Sequence, residues 1–268
     1  MTTPTVRTQL GEHGGSHIIA TVEVDNSARL NCLSTDQVVR LKQAFDELSQ
    51  HDTLRAVILT GAGDKSFIGG ADLNELGSLC ADSGRLYITR LHQACLAIRE
   101  FPLPVIARVN GFCLGAGLEV AASCDMRAAA ETAVFGMPEV HMGLPSVIEA
   151  ALLPGQIGWG RTREILLTGQ TFSANEAFAM GFAQRVAPLA DLDQAIAQWL
   201  DGICSAAPES IRNQKRLMNR WEKASVEEGV LAGIDALSEA YQTGEPQARI
   251  AEFFSEKSRR KAADSNKP

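Results

Sequence analysis

The sequence predicts an α/β fold with a mostly helical second half, and three observations carry that prediction. The first half alternates short apolar runs with amphipathic segments of helical period. The second half carries helical spacing and capping signals along most of its length. The 268 residues are 45% hydrophobic and 21% charged, the composition of a chain that buries a sizeable core.

In chain order, His17 to Val24 alternates, with Ile18, Ala20, Val22 and Val24 on one face, and predicts a strand. Ser34 to Leu48 predicts a helix. Ser34 with Gln37 makes a capping box, and Val38, Leu41, Phe45 and Leu48 form the apolar stripe. Ala56 to Thr60 and Pro104 to Val109 are short apolar runs of the kind buried on both faces of a sheet, and both lead into glycine-rich turns. Ser173 with Glu176 is a second capping box, with Gly181 placed to end that helix. Ser225 with Glu228 is a third, and Val226, Val230, Ile234, Leu237 and Tyr241 follow at helical spacing. A last helix over about 246–261 carries Ile250 and Phe254 on one side and a basic end from Lys257 to Lys261. A boundary near residue 200 then separates an α/β part, 1–200, from a helical region, 201–268.

The formal net charge of −7 argues against a nucleic-acid-binding face. Cys32, Cys80, Cys95, Cys113, Cys124 and Cys204 form no CxxC pair and no zinc spacing, and read as small buried hydrophobes in a reducing compartment. Residues 1–15 hold no apolar signal core, and no apolar run is long enough to span a bilayer. The expectation is a soluble, cytoplasmic protein with neither nucleic acid nor membrane as partner.

Two glycine turns stand out. The first is Ser66-Phe-Ile-Gly-Gly-Ala-Asp-Leu-Asn-Glu75, with a helix expected to start near Ala71 or Asp72. The second is Asn110-Gly-Phe-Cys-Leu-Gly-Ala-Gly-Leu-Glu-Val-Ala122, with an apolar helix starting near Gly115. The first amides of a helix lack intrahelical acceptors and carry partial positive charge. Two such ends facing each other would offer two N–H donors to one oxygen, an oxyanion hole suited to a thioester carbonyl becoming an enolate. The plainer alternative is a pair of ordinary tight turns. Dinucleotide binding at Gly61-Ala-Gly63 is a weak rival, because the third glycine of that fingerprint is replaced by Ser66.

Glu119 sits one turn into the second helix, stacked over Gly115 and Ala116, among apolar Leu118, Val120, Ala121 and Ala122. A glutamate there needs either a function or an ion-pair partner such as an arginine. A second acid, Glu139, follows Pro138, which disfavours helix and places Glu139 in a loop or strand end. Spacing alone does not bring the two acids together.

Together these residues resemble the enoyl-CoA hydratase/isomerase, or crotonase, superfamily, most like an enoyl-CoA hydratase. The resemblance is carried by Phe67 to Leu76, by Asn110 to Glu119 continuing through Cys124-Asp125, by Phe135-Gly-Met-Pro-Glu-Val140, and by Thr168 to Ala177 followed by Gly181-Phe182 and Val186-Ala-Pro188. It spans roughly residues 17–260. It implies a spiral of ββα units with a helical C-terminal region used in homotrimers, which often pair as dimers of trimers. It implies a lyase of acyl-CoA and lipid metabolism that hydrates a 2-enoyl-CoA to a 3-hydroxyacyl-CoA, or the reverse. Ala71 and Ala116 would donate the oxyanion N–H bonds, and Glu119 and Glu139 would be the catalytic pair. Arg29, Leu30, Asp72, Leu73, Asn74 and Gly115 would line the acyl-CoA site. Phe254 and Lys257 would reach a neighbouring subunit's CoA, Lys257 being equally readable as part of a solvated basic tail. No metal and no redox cofactor is implied, coenzyme A being part of the substrate.

The chain departs from the family after Gly143, where Leu144-Pro-Ser-Val-Ile-Glu-Ala-Ala-Leu-Leu153 replaces a glycine-rich stretch and introduces Glu149, read as a helix-start or surface residue. The helix N-terminus beside Glu119 favours its ionised form, which makes Glu119 the base that activates water and Glu139 the acid that protonates C2. Rival readings are a double-bond isomerase or other CoA-thioester enzyme on the same fold, and a catalytically idle scaffold, which the two retained acids and the negative charge oppose.

Overall fold

The computed structural model describes residues 4–265, with side chains through residue 260. The side chain of Lys261, the last of the basic end read from the sequence, lies outside the described residues. The chain forms two compact units that meet between Gly202 and Ile203.

The first unit opens with β1 (Thr5–His13) and β2 (His17–Asp25), an antiparallel hairpin. The sequence reading had no strand at β1, since most of its residues are exposed and none of its apolar positions is held in the core. β2 is the expected strand, and Ala20, Val22 and Val24 are wholly buried. Next comes α1 (Thr35–Leu48), whose capping box from Ser34 and Gln37 forms in full. Val38, Leu41, Phe45 and Leu48 are buried along its stripe.

From here the chain repeats a strand–strand–helix unit. In each repeat the first strand joins a six-stranded sheet and the second a four-stranded sheet. The first repeat is β3 (Leu54–Gly61), β4 (Ser66–Ile68), the short α2 (Leu73–Leu76) and α3 (Ala81–Arg99). The second is β5 (Val105–Val109), β6 (Phe112–Leu114) and α4 (Ala116–Ala122). The third is β7 (Met126–Ala130), β8 (Val134–Gly136), two 3-10 turns at Pro138–Met142 and Ile148–Leu152, and α5 (Leu153–Thr168). The larger sheet runs β1-β2-β3-β5-β7-β10 and the smaller β4-β6-β8-β9, the repeats pairing in parallel. The second of the two 3-10 turns, Ile148–Leu152, packs against α4 and α3.

The unit closes with β9 (Thr171–Ser173), α6 (Ala174–Ala179), β10 (Arg185–Ala187) and α7 (Leu192–Ser205), the last of which runs across the boundary. The second capping box, Ser173 with Glu176, caps α6, and Gly181 follows it in a left-handed conformation (φ 85°). Leu54, Ala56, Val57 and Leu59 on β3, with Val105, Ile106 and Ala107 on β5, are fully buried. That is what covers on both faces of a parallel strand require.

Two buried asparagines hold the loops that lead to the site. Asn110 donates to the Gly61 carbonyl (2.9 Å), and Asn31, itself at φ 56°, donates to those of Ala62 (3.0 Å) and Ser66 (2.8 Å). The Gly61-Ala-Gly63 turn therefore runs into β4, not into a phosphate-binding helix. At the other end of α4, the buried Arg127 donates to the carbonyls of Ala121 (3.0 Å) and Cys124 (2.8 Å), capping the helix C-terminus.

The second unit contains α8 (Pro208–Trp221), α9 (Val226–Gln242) and α10 (Glu245–Ser265). The third capping box, Ser225 with Glu228, starts α9. The stripe read from the sequence is no core face in the single chain: Val226 is 79% exposed and Leu237 63%. Among the described residues no helix is long and apolar enough to cross a membrane, and no three His, Cys, Asp or Glu side chains gather in a cluster that could hold a metal.

Candidate active site

The loops after β4 and β6 meet at the start of α4. Gly70 has φ 120°, and a Cβ there would stand 3.4 Å from the Leu114 carbonyl oxygen, so the two loops are in contact. Ala71 forms a single parallel bridge with Leu33. The Leu33 N–H donates to the Gly70 carbonyl (2.8 Å), and the Asp72 N–H donates to the Leu33 carbonyl (2.9 Å). A parallel bridge uses the groups flanking its central residue, which turns Ala71's own N–H away from Leu33. Ala116 is the first residue of α4, and its N–H has no acceptor within the helix. Both alanines line one cavity of about 640 Å³, drawn wholly from the first unit. Its wall is mainly apolar, with Leu73, Leu76, Ile88, Leu91 and Leu144 among its side chains.

Glu119 and Glu139 line the same cavity. Glu119 comes from the first turn of α4 and is 4% exposed. Glu139 comes from the 3-10 turn that Pro138 opens, a short helix where the sequence predicted a loop or strand end. The proline restricts the residue before it and suits a helix's first position, so it shaped the turn without extending it. Glu139 lies against the start of α4: a Cβ on Gly115 would stand 2.5 Å from its Oε1. Gly115 itself sits at φ 51°. This one position needs a glycine twice over, for its backbone and for the carboxylate above it.

Each acid accepts from a neutral donor of the segment after Gly143. The Ala150 N–H donates to Glu119 Oε1 (3.3 Å), and the Ser146 hydroxyl donates to Glu139 Oε2 (3.0 Å). Sequence reasoning missed both donors. Ser146 stood in the departing segment without a partner to suggest its use, and Ala150 acts through its backbone. Burial pushes Glu119 up to about 9, with further lift from Glu139 and Glu149, against the Ala150 hydrogen bond. Burial also raises Glu139, opposed by its backbone and Ser146 hydrogen bonds. The helix start does not keep Glu119 ionised, as the sequence suggested: α4 is only seven residues long, and desolvation outweighs its dipole.

Arg29, Leu30, Asp72 and Asn74 do not themselves line the cavity but flank its Ala71 and Leu73 wall: Arg29 donates to Asp72 (2.8 Å), and the Asn74 N–H donates to the same side chain (2.9 Å). Burial would raise Asp72, but these bonds outweigh it and hold its carboxyl below the usual range. Leu30, at φ 53°, offers its carbonyl to the Gly69 N–H (2.8 Å) and the Ser66 hydroxyl (2.7 Å), tying the Arg29 side to the first glycine loop. Leu73 is 61% exposed while lining the cavity. Phe254 and Lys257 stand exposed on α10, in the second unit. Glu149 lies in the first turn of the 3-10 helix Ile148–Leu152, the helix start that the sequence suggested, but it is not a surface residue. It is 4% exposed, and its Oε1 lies 2.7 Å from His92 Nδ1.

An apolar cavity lined by Ala71, Ala116 and two carboxyl groups is a setting in which peptide N–H groups could hold a thioester oxygen and the acids could move protons next to it. Comparisons with known proteins identify the family. Residues 14–262 match the family model described as enoyl-CoA hydratase/isomerase. A short-chain-enoyl-CoA hydratase of Clostridium acetobutylicum is 30% identical over 237 residues, covering 88% of this chain and 91% of that one. A mevalonyl-coenzyme A hydratase of Aspergillus fumigatus is 34% identical, covering 90% of each chain. The crystal structure of an enoyl-CoA hydratase from Bacillus anthracis superposes with a TM-score of 0.88 at 26% identity, covering 94% of this chain and 96% of that one.

The chain therefore belongs to the enoyl-CoA hydratase/isomerase family and has its crotonase fold, the strand–strand–helix repeats forming the spiral. Within that family it stands with the enoyl-CoA hydratases, lyases whose substrates are acyl-CoA thioesters.

Proposed function

We propose that this enzyme adds water across the double bond of a 2-enoyl-CoA to give a 3-hydroxyacyl-CoA, and catalyses the reverse. The observation that carries the reading is the meeting of Glu119 and Glu139 at the start of α4, beside the amides of Ala71 and Ala116. The two amides hold the thioester oxygen, so that electron density drawn from C3 collects on an oxygen between two dipoles. A water held between the acids adds to C3. The ionised acid takes its proton while the protonated acid gives one to C2, so one proton gained is balanced by one given. The mechanism thus needs one proton shared by the two acids. In the free protein, burial and the mutual repulsion of the two acids favour keeping that proton on the pair. This replaces the fixed assignment of Glu119 as base and Glu139 as acid with a dyad whose two members exchange a proton.

The loss of the conjugated enoyl-thioester absorbance of crotonyl-CoA tests the reading. Wild-type protein is expected to give 3-hydroxybutyryl-CoA, and Glu139→Gln to lose about 10²–10⁴-fold in rate. A shifted double bond without 3-hydroxyacyl product would make the enzyme an isomerase instead. In support of a homotrimer or a dimer of trimers stands the apolar face of α9, left exposed in the single chain. The Arg29, Asp72 and Asn74 cluster, next in sequence to the cavity-lining Ala71 and Leu73, is proposed for the CoA side, with Lys257 and Phe254 facing a neighbouring subunit's ligand. No metal or redox cofactor takes part in this scheme.

A further inference from the structure

The hydration scheme uses two carboxyl groups, and the structure buries a third beside them. Glu149 is 4% exposed and does not line the cavity. One of its oxygens meets His92 Nδ1 at 2.7 Å, and among the described residues the other has no partner. A buried carboxyl with one free oxygen is costly, so its retention asks for a reason. The backbone adds a second oddity. Ile148, the residue before it, has φ 36°, a conformation that a β-branched side chain resists. That strained turn serves two ends together. It points Glu149 inward toward α3 and α4, and it brings the next amide, Ala150 N–H, onto Glu119.

We propose that Glu149, held by His92, is a positioning residue for the reaction: its charge behind Glu119 governs how tightly the dyad holds its proton, and so sets the alkaline edge of activity. The proposal rests on the hydratase reading. Its parts are tied in space, since Glu149 is one residue from the amide that touches Glu119. His92, with a side chain 46% exposed, carries the other end of the pair to the surface. The electrostatics agree, because Glu149 helps to raise Glu119 and acts with it to raise Cys95.

Other titratable and charged groups also face or flank this cluster. From α3, the Cys95 thiol is fully buried and pushed well up, and the buried Tyr87 hydroxyl is likewise raised. From the turn at 138–142 comes Glu139, the other half of the dyad. On α5 the charged side chains Arg161, Arg163 and Glu164 are exposed. The sign follows directly. A negative charge on Glu149 favours the protonated dyad, so removing it lets the dyad lose its last proton at lower pH.

The test is the pH profile of kcat/KM for crotonyl-CoA in wild type, Glu149→Gln, His92→Leu and His92→Gln, with carbon-13 NMR titration of the Glu119 carboxyl. Glu149→Gln keeps the shape and removes the charge. His92→Leu leaves Glu149 without a donor, so that it takes up a proton and loses its charge too. Both are expected to move the alkaline limb down by about half a unit or more, roughly a threefold loss on that limb, with KM unchanged. His92→Gln keeps a donor and keeps the limb in place. If Glu149→Gln unfolds, His92→Leu, altered at a half-exposed position, carries the test. Limbs within about 0.1 unit of wild type in both charge-removing variants, with only the melting temperature lowered, would reduce the pair to a staple between α3 and the 148–152 turn and overturn the proposal. If wild type does not hydrate crotonyl-CoA, the hydratase reading fails separately. The NMR titration then decides alone whether Glu149 moves Glu119.

Discussion

Glu119 shows what a buried carboxyl costs the fold that carries it. Its value in the folded protein, about 9, lies far above the ordinary 4.5 of an exposed glutamate. Between those values the folded chain keeps a proton that the unfolded chain has released. Stability contributed by this group therefore falls as pH rises across that window. Glu119→Gln removes the penalty and keeps the shape. We expect it to be more stable than wild type at pH 8 by about 1–3 kcal/mol, to differ little at pH 5, and to lose nearly all hydration. Urea melts at the two pH values check this, and a variant no more stable at pH 8 would show that the buried acid is not the strained group. Glu139, raised less and held by Ser146, is expected to give a smaller gain.

At the scale of elements, the start of α4 is where two repeats have to fit. Gly115→Ala would force a side chain to within 2.5 Å of Glu139 Oε1 at a backbone angle, φ 51°, that alanine resists. We expect a folded protein, by circular dichroism, whose kcat falls at least about 10²-fold because one acid is displaced; an unchanged kcat would mean that Glu139 has room to spare. The sequence made much of this region legible. Ser34–Gln37, Ser173–Glu176 and Ser225–Glu228 announce helix starts because a cap is made by residues three apart. The glycines at 69, 70 and 115 announce turns for the same local reason. The meeting of Glu139 with Gly115 was not legible, because the smaller sheet brings β6 beside β8 and no local pattern records that pairing. The helix start at Glu149 was legible but its burial was not, because a 3-10 turn has neither the helical nor the strand period that separates inside from outside. β1 escaped notice because an edge strand with mostly exposed side chains leaves no apolar alternation.

For the whole molecule, the apolar stripe of α9 is the feature that a single chain does not explain. Its spacing was plain in the sequence, but a stripe marks a face that will be covered and does not say by what. Val230, Ile234 and Leu237 are each about three-fifths exposed. If a second copy covers them, Leu237→Glu should shift the protein to a smaller species in sedimentation equilibrium while its helical content persists. An unchanged mass would remove α9 from the interface. The centre of the molecule carries a different lesson, about how such an enzyme can be interrogated. The donors assigned to the thioester oxygen, and the one that touches Glu119, are peptide N–H groups of Ala71, Ala116 and Ala150. An alanine scan, the usual way to find which positions matter, passes over all three without changing an atom. Their contribution becomes visible only when the main chain itself is edited, for instance by replacing single amides with esters. Much of this site has no address in the side-chain alphabet, and tolerance to substitution at these positions would not mean that they are idle.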